Sequence, residues 1–237
     1  PYDVTFDDNH IIVDNKKYLF FHQKEISNLN WENIDIVIES TGKFKTFDEI
    51  NQHIISGAKK VILSAPSEVE EIKTVVLGVN EHILDGSETI ISNASCTTNN
   101  AAPMIKIIND LCGIEQAYIT TVHSYTTDQS LHDQPHKDLR RARGAAQSIV
   151  PTTTGAAKAL TKIFPELEGK IGGCGIRVPV PDGSLTDITL NVKRQVSIEE
   201  INAAFKKAAE NNLKGILEYT EDPIVSVDII GNTNSCI

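Results

Sequence analysis

A cysteine and a histidine, each at the edge of a patterned segment, set the chemistry available to this sequence. Cys96 lies in Ser92-Asn93-Ala94-Ser95-Cys96-Thr97-Thr98-Asn99-Asn100, where a β-rich run gives way to a helical one. Residues 88–92 are rich in β-branched side chains and read as a strand. Residues 101–111 carry Met104, Ile105, Ile108 and Leu111 at helical spacing. Ser95 is therefore placed as an N-cap. Cys96 falls in the first helical turn, where unpaired N–H groups and the helix dipole favour a thiolate. His123 closes a strand-like run at 118–124, and a thiol within hydrogen-bond reach of an imidazole is a nucleophile with its own base. A small buried cysteine and an unrelated histidine fit the same residue types. With 4 cysteines and 7 histidines in the chain, the pair alone leaves both readings open.

Other residues could hold an anion. Thr126, Thr127, Thr154 and Gly155 offer hydroxyl and backbone N–H groups, and Arg141 and Arg177 offer guanidinium forks. Taken alone, they are better read as a threonine-rich cap and two surface arginines. His132 and His136 have the spacing of a metal-ligating pair on a helix. The stretch 126–148 shows neither helical periodicity nor a third ligand, so no metal is expected. Cys112 and Cys174 read as structural.

The elements that position these residues follow from the pattern. Residues 10–13 and 18–21, separated by Asp14-Asn15-Lys16-Lys17, read as a β-hairpin. A strand at 33–39, a helix from Thr46 to a stop at Gly57, and strands at 60–64, 75–79 and 88–92 make a β/α alternation with apolar strands. That is the mark of a parallel sheet wound with helices. The strands at 33–39, 60–64 and 88–92 end in Ser40-Thr41-Gly42, Ser64-Ala65-Pro66 and Ser95-Cys96, where ligands collect in such sheets. Beyond Cys96 the pattern changes: a strand at 118–124, a long functional loop at 126–148 and a helix at 156–163. Strands at 175–180 and 185–192 follow, joined by Pro181-Asp182-Gly183. A capping-box helix opens at Ser197 with Ile198, Ile201 and Phe205 inward, and a last strand lies at 224–230. The fold expected is α/β: a partial Rossmann-type parallel sheet over 1–95, then an α+β catalytic domain with a mixed or antiparallel sheet over 96–237.

Composition narrows the class. The 237 residues are 40% hydrophobic and 23% charged with a formal net charge of −10, which suits a globular protein and argues against a nucleic-acid surface. No apolar run approaches the ~20 residues of a membrane span, and no signal peptide is visible. The cysteines are widely spaced with no C-x-x-C pair, as in a protein of the reducing cytoplasm. The chain starts at Pro1, contains no G-x-G-x-x-G and ends at Ile237 just after an apolar run. It reads as an internal fragment.

Five motifs in order turn these separate hints into a resemblance. SNASCTTN (92–99), TTVHSYTTDQ (120–129), DLRRAR (138–143), PTTTGAAKAL (151–160) and IRVPVPD (176–182), with DIVIESTGKF (35–44) and KKVILSAPS (59–67) before them, together resemble the phosphorylating glyceraldehyde-3-phosphate dehydrogenases. The resemblance implies oxidation of the aldehyde by NAD and inorganic phosphate to an acyl phosphate, as in glycolysis, in a cytoplasmic homotetramer. It implies that Cys96 is the nucleophile and His123 the base. It implies that Thr126 and Arg177 hold the substrate phosphate, with Asp128 ordering the loop near Arg177. Ser95, Thr97, Thr154, Gly155 and Arg141 would hold the attacking phosphate. Thr41, Gly42 and Phe44 would line the adenosine side of NAD and Ser64 the nicotinamide ribose side.

Departures from the family pattern carry consequences. Asn100 stands where most members have a second cysteine, which the mechanism does not require. Gln134-Pro135 replaces leucine-proline; the proline favours NAD, but the acidic residue that meets the ribose hydroxyl lies outside the chain, leaving NADP open. Alternatives are erythrose-4-phosphate dehydrogenase, disfavoured by the intact Pro-Thr-Thr-Thr-Gly motif, a Cys–His hydrolase, which would leave the strands before Cys96 unexplained, and a non-catalytic fragment. Since the glycine-rich turn and the carboxamide-binding asparagine are outside these residues, the isolated chain is expected to bind NAD weakly. A fluorescence titration checks this, and micromolar affinity would contradict it.

Overall fold

The computed structural model describes residues 2–237 as three sheets in chain order, with helices packed on the second and third. The first sheet is an antiparallel meander of β1 (Val4–Phe6), β2 (His10–Val13) and β3 (Lys16–Leu19). Asp14 and Asn15 connect β2 to β3 with φ of 47° and 66°, the left-handed pair that short hairpin turns require. β1 has too few residues to show a period in the sequence.

The second sheet is parallel, with order β4-β5-β7-β6: β4 (Ile36–Glu39), then helix α1 (Phe47–Ile55), β5 (Lys60–Leu63), β6 (Lys73–Thr74) and β7 (Ile90–Ser92). Thr46 and Glu49 close a capping box on α1, and Gly57, at φ 112°, follows its end. Val37, Ile50, Val61, Leu63 and Ile90 form the core beneath this sheet.

The strand expected at 75–79 does not form. Asn80 Oδ1 accepts from the Val76 N–H at 2.8 Å, and Asn80 Nδ2 donates to the Thr74 carbonyl at 3.0 Å. This side chain takes backbone groups that a ladder would need. Val76 and Val79 are buried in the turn, so their apolar character serves the core without a strand.

Helix α2 (Cys96–Cys112) leads into the third sheet, which is mixed, with order β11-β8-β10-β9. Its members are β8 (Ile114–Ser124), β9 (Val150–Thr152), β10 (Ile171–Val178) and β11 (Ser184–Val192), with α3 (Ala156–Ile163) before β10 and α4 (Ile198–Glu210) after β11. β10 and β11 are joined by the Pro181-Asp182-Gly183 turn, yet β8 lies between them, parallel to one and antiparallel to the other. β10 starts earlier than its apolar residues suggest because Gly172 and Gly173 allow close approach; a Cβ on Gly173 would sit 2.7 Å from the Ile119 carbonyl oxygen. Ile105, Ile114, Ile119, Leu160 and Leu167 are all but inaccessible and fill the core between this sheet and its helices.

Two further expectations change. The segment 224–230 is a 3₁₀ turn at Ser226–Ile229, because the Asp228 carboxylate accepts the Val225 N–H at 2.7 Å and closes the chain on itself. Ile198 is 72% exposed; the Ser197–Glu200 capping box puts it in the first turn, and Ile201, Phe205 and Ala208 make the inward stripe of α4.

Leu160→Ala should therefore cost about 3 kcal/mol, and Ile198→Ala within about 0.5 kcal/mol of nothing, as read from urea midpoints. Equal losses would contradict this packing.

Candidate active site

The site begins at the turn from β7 into α2. Ala94 has φ 57°, a left-handed conformation that costs a non-glycine residue about 1 kcal/mol. Side chains over-determine the turn. Ser92 Oγ donates to the Ala65 carbonyl at 2.7 Å and accepts from the Ala94 N–H at 3.1 Å. Asn99 Nδ2 donates to the carbonyls of Asn93 and Ser95 at 2.7 and 3.0 Å. Ser95 Oγ caps α2 by accepting from the Thr98 N–H at 3.1 Å. Cys96 is thereby the first helical residue, exposed, in the position the sequence suggested. Nothing in the type of Ala94 or in the spacing around it signalled its conformation.

His123 arrives from β8. Its Nε2 is 3.3 Å from Cys96 Sγ. This contact, opposed by partial burial and aided by Thr97, lowers the Cys96 thiol to about 7. The same contact, opposed by burial and by Arg177 and aided by the Ser124 carbonyl, raises His123 above its usual value. Thiolate and imidazolium thus stabilise one another. The other cysteines differ: Cys112 and Cys236 are buried, Cys174 is part-buried, and burial pushes Cys236 up to about 12.

Arg177 comes to the site by strand register, since it pairs with His123 across the parallel β8–β10 ladder. Its Nη1 lies 2.5 Å from His123 Nδ1 and donates to the Ser124 carbonyl at 2.9 Å. Arg141 enters from the long loop, held by Asp128 at 2.5 Å through Nη1 and by Thr152 Oγ1 at 3.0 and 2.6 Å through Nε and Nη2. Burial and the charge of Arg141 both press against protonation of Arg177. A phosphate group set between the two would relieve this repulsion. Thr154 and Gly155 stand at the start of α3, with Thr154 Oγ1 accepting from the Ala156 N–H at 3.2 Å and open space beside the Gly155 Cα.

These parts converge. Ser95, Cys96, Thr97, His123 and Arg141 line one cavity of about 220 Å³ together with Thr154, Gly155 and Arg177. Pro66, marked in the sequence as part of a strand end, also lines it, as do Thr121, Thr152 and Thr153, which were given no role. A larger cavity of about 580 Å³, between Ser184–Thr186 and the 224–237 segment, lies away from this chemistry.

Thr126 does not line the 220 Å³ cavity; its carbonyl accepts from the Gln129 N–H and closes a turn. Asp128 orders the loop by binding Arg141 and His136, and its charge also acts on Arg177. His136 is engaged there and by the Asp138 main chain. Among the described residues no cluster of three metal-ligating side chains forms.

On the parallel sheet, Glu39, Leu63 and Ser92 lie in register at the carboxyl ends of β4, β5 and β7. Thr41, Gly42 and Ser64 are exposed just beyond them, and Phe44 is half-buried, its ring edge-on to His53 with centroids 6.3 Å apart. Gly42 has φ 67° with no atom within 4 Å of where a Cβ would stand. Small side chains, a free Ser64 hydroxyl position and bare backbone suit the flat edge of a dinucleotide. No helix is long and apolar enough to cross a membrane among the described residues.

Comparison with known proteins agrees with the geometry. The family model described as "Glyceraldehyde 3-phosphate dehydrogenase, C-terminal domain" matches residues 95–237, and the one described as "Glyceraldehyde 3-phosphate dehydrogenase, NAD binding domain" matches residues 1–47. The chain is 53% identical over 237 residues to glyceraldehyde-3-phosphate dehydrogenase 2 of Streptomyces avermitilis, covering 99% of this chain and 70% of that protein. It is 49% identical over 236 residues to the Geobacillus stearothermophilus glyceraldehyde-3-phosphate dehydrogenase, at 98% and 70% coverage. It is 52% identical over 241 residues to the Mycobacterium avium enzyme of that name, at 100% and 71% coverage.

Alkylation of Cys96 by iodoacetamide should rise with pH through a midpoint near 7, as the thiolate forms. His123→Asn should move that midpoint up towards the ordinary thiol value of ~8.5. A midpoint that stays put would remove His123 from the pair.

Proposed function

The chain belongs to the glyceraldehyde-3-phosphate dehydrogenase family, NAD-dependent phosphorylating dehydrogenases that act on small-molecule substrates, and from that premise we propose how its residues divide the glycolytic reaction. The observation that carries the reading is the 3.3 Å contact between Cys96 Sγ and His123 Nε2, in a cavity that two arginines share.

The Cys96 thiolate adds to the aldehyde carbon, and the developing oxyanion is met by the Cys96 N–H and the imidazole. The imidazolium of His123 gives its Nε2 proton to that oxyanion, leaving a hemithioacetal on Sγ and a neutral imidazole. His123 Nε2 then takes the hydroxyl proton as the carbon is oxidised to a thioester. NAD, when bound, supplies the hydride acceptor for that oxidation; Thr41, Gly42 and Phe44 would flank its adenosine side and Ser64 its nicotinamide ribose. Inorganic phosphate, held by Ser95, Thr97, Thr154, Gly155 and Arg141, attacks the thioester carbon. Sγ leaves as the thiolate, which His123 and the start of α2 stabilise, and the acyl phosphate is released. We assign the substrate phosphate to Arg177 and, from its family position alone, to Thr126, which lies outside the 220 Å³ cavity. We divide the chain at 95/96 into a cofactor part and a catalytic part, since Cys96 opens the helix that leads into the mixed sheet. The family and the exposed face of that sheet, with Tyr118 50% and Leu185 60% exposed, support a homotetramer, and the free thiols support a cytoplasmic setting.

Cys96→Ser should form no acyl-enzyme detectable by mass spectrometry while retaining NAD affinity; an acylated serine variant would sink the assignment. His123→Asn should lower turnover ~10²–10⁴-fold. Ester cleavage without NAD or phosphate would instead favour a hydrolase, and faster turnover of erythrose 4-phosphate the related dehydrogenase.

A further inference from the structure

The reaction described above makes no use of a buried carboxylate at the end of β4. Glu39 is 5% exposed and His53 4%. Glu39 Oε2 lies 3.0 Å from His53 Nε2, and Trp31 Nε1 donates to His53 Nδ1 at 3.0 Å. An indole nitrogen can only donate, so His53 Nδ1 is the acceptor, and the imidazole proton sits on Nε2 and is given to Glu39. The other carboxylate oxygen, Oε1, accepts both the Thr41 N–H at 2.7 Å and the Thr41 hydroxyl at 2.5 Å. The Thr41 hydroxyl oxygen in turn accepts the Lys43 N–H at 3.2 Å. Every hydrogen bond to Glu39 therefore arrives from a donor. Two of the three donors belong to one residue of the Ser40-Thr41-Gly42 turn.

From this wiring we propose that Glu39 is a positioning residue for the cofactor side of the reaction, holding the 40–42 turn against the sheet through Thr41 and being held itself by His53, which Trp31 orients. The inference rests on the reading of that turn as a wall of the NAD crevice. It changes the part assigned to Thr41: the hydroxyl is committed to Glu39 and Lys43, so this turn meets the cofactor with main chain and the bare face of Gly42. A buried carboxylate that loses a donor keeps its desolvation cost without compensation. The turn, which is exposed and follows a strand of four residues, is the element free to respond.

The test uses the enzyme as expressed from its own gene, with Glu39→Gln, Thr41→Val and Thr41→Ser. Thr41→Val removes one donor and leaves the carboxylate, so it serves if Glu39→Gln does not fold. In the NAD-free protein, deuterium uptake of the peptide spanning 40–44 should rise in the first two variants and stay at the parent level in Thr41→Ser, which keeps the hydroxyl. The dissociation constant for NAD should rise about tenfold in the first two and be restored in Thr41→Ser. The iodoacetamide rate of Cys96, which reports only the thiolate–imidazole pair, should not change. Raised uptake with NAD affinity within twofold of the parent would make the network structural alone and overturn the proposal, as would unchanged uptake. A parent enzyme that binds no NAD would overturn the crevice reading itself.

Discussion

The structure depends on the turn that carries the chain from β7 into α2. A parallel strand must end there, a helix must begin, and the first helical side chain must face a histidine on a different sheet. Ala94 pays with a left-handed backbone, and Ser92, Ser95 and Asn99 hold it there through bonds that reach the β5 loop and the helix interior. Were the turn to relax, Cys96 would leave the start of α2 and the 3.3 Å contact with His123 together. Strain stored at a site and offset by its surroundings is what a fixed nucleophile requires.

The rest of the site is arranged by sheet pairing. β8 lies between β11 and β10 and presents His123 at its end, and the parallel ladder with β10 puts Arg177 beside it. β9 lines up against β10, so the chain leaving it passes Thr152, Thr153 and Thr154 along the cavity before α3 begins. Arg141 is the one cation supplied by a loop, and the loop is braced for it: although partial burial works the other way, Arg141 and His136 hold Asp128 below the usual carboxylate range. Lys162 Nζ, from α3, donates to the Ser67 carbonyl at 2.7 Å and ties the helix that starts at the phosphate-binding residues to the loop after β5.

Local chemistry was readable wherever one residue type dictates one backbone state. Asp14-Asn15-Lys16-Lys17 located the hairpin, although only Asp14-Asn15 turn and Lys16 and Lys17 open β3; Thr46 and Ser197–Glu200 marked helix starts, and Ser95 the cap beside Cys96. Reading failed where a polar side chain a few residues along captured backbone. Asn80 and Asp228 each turned an apolar run into a turn, and no hydrophobic period reports such a capture. Ile198 was misplaced because helical spacing gives a stripe but not its angular origin, which packing against α2 sets.

For the site, five motifs in order named Cys96, His123, Arg141 and Arg177 through their resemblance to a known family, while the residue types alone left bland readings open. What they could not supply was distance. That Cys96 meets His123, that Arg177 stands beside it, and that Thr121 and Thr152 line the cavity while Thr126 does not, follow from strand order and register. Those are contacts between segments far apart in the chain. A linear pattern encodes the face each residue takes within its own element, and only the assembled sheets decide which faces meet.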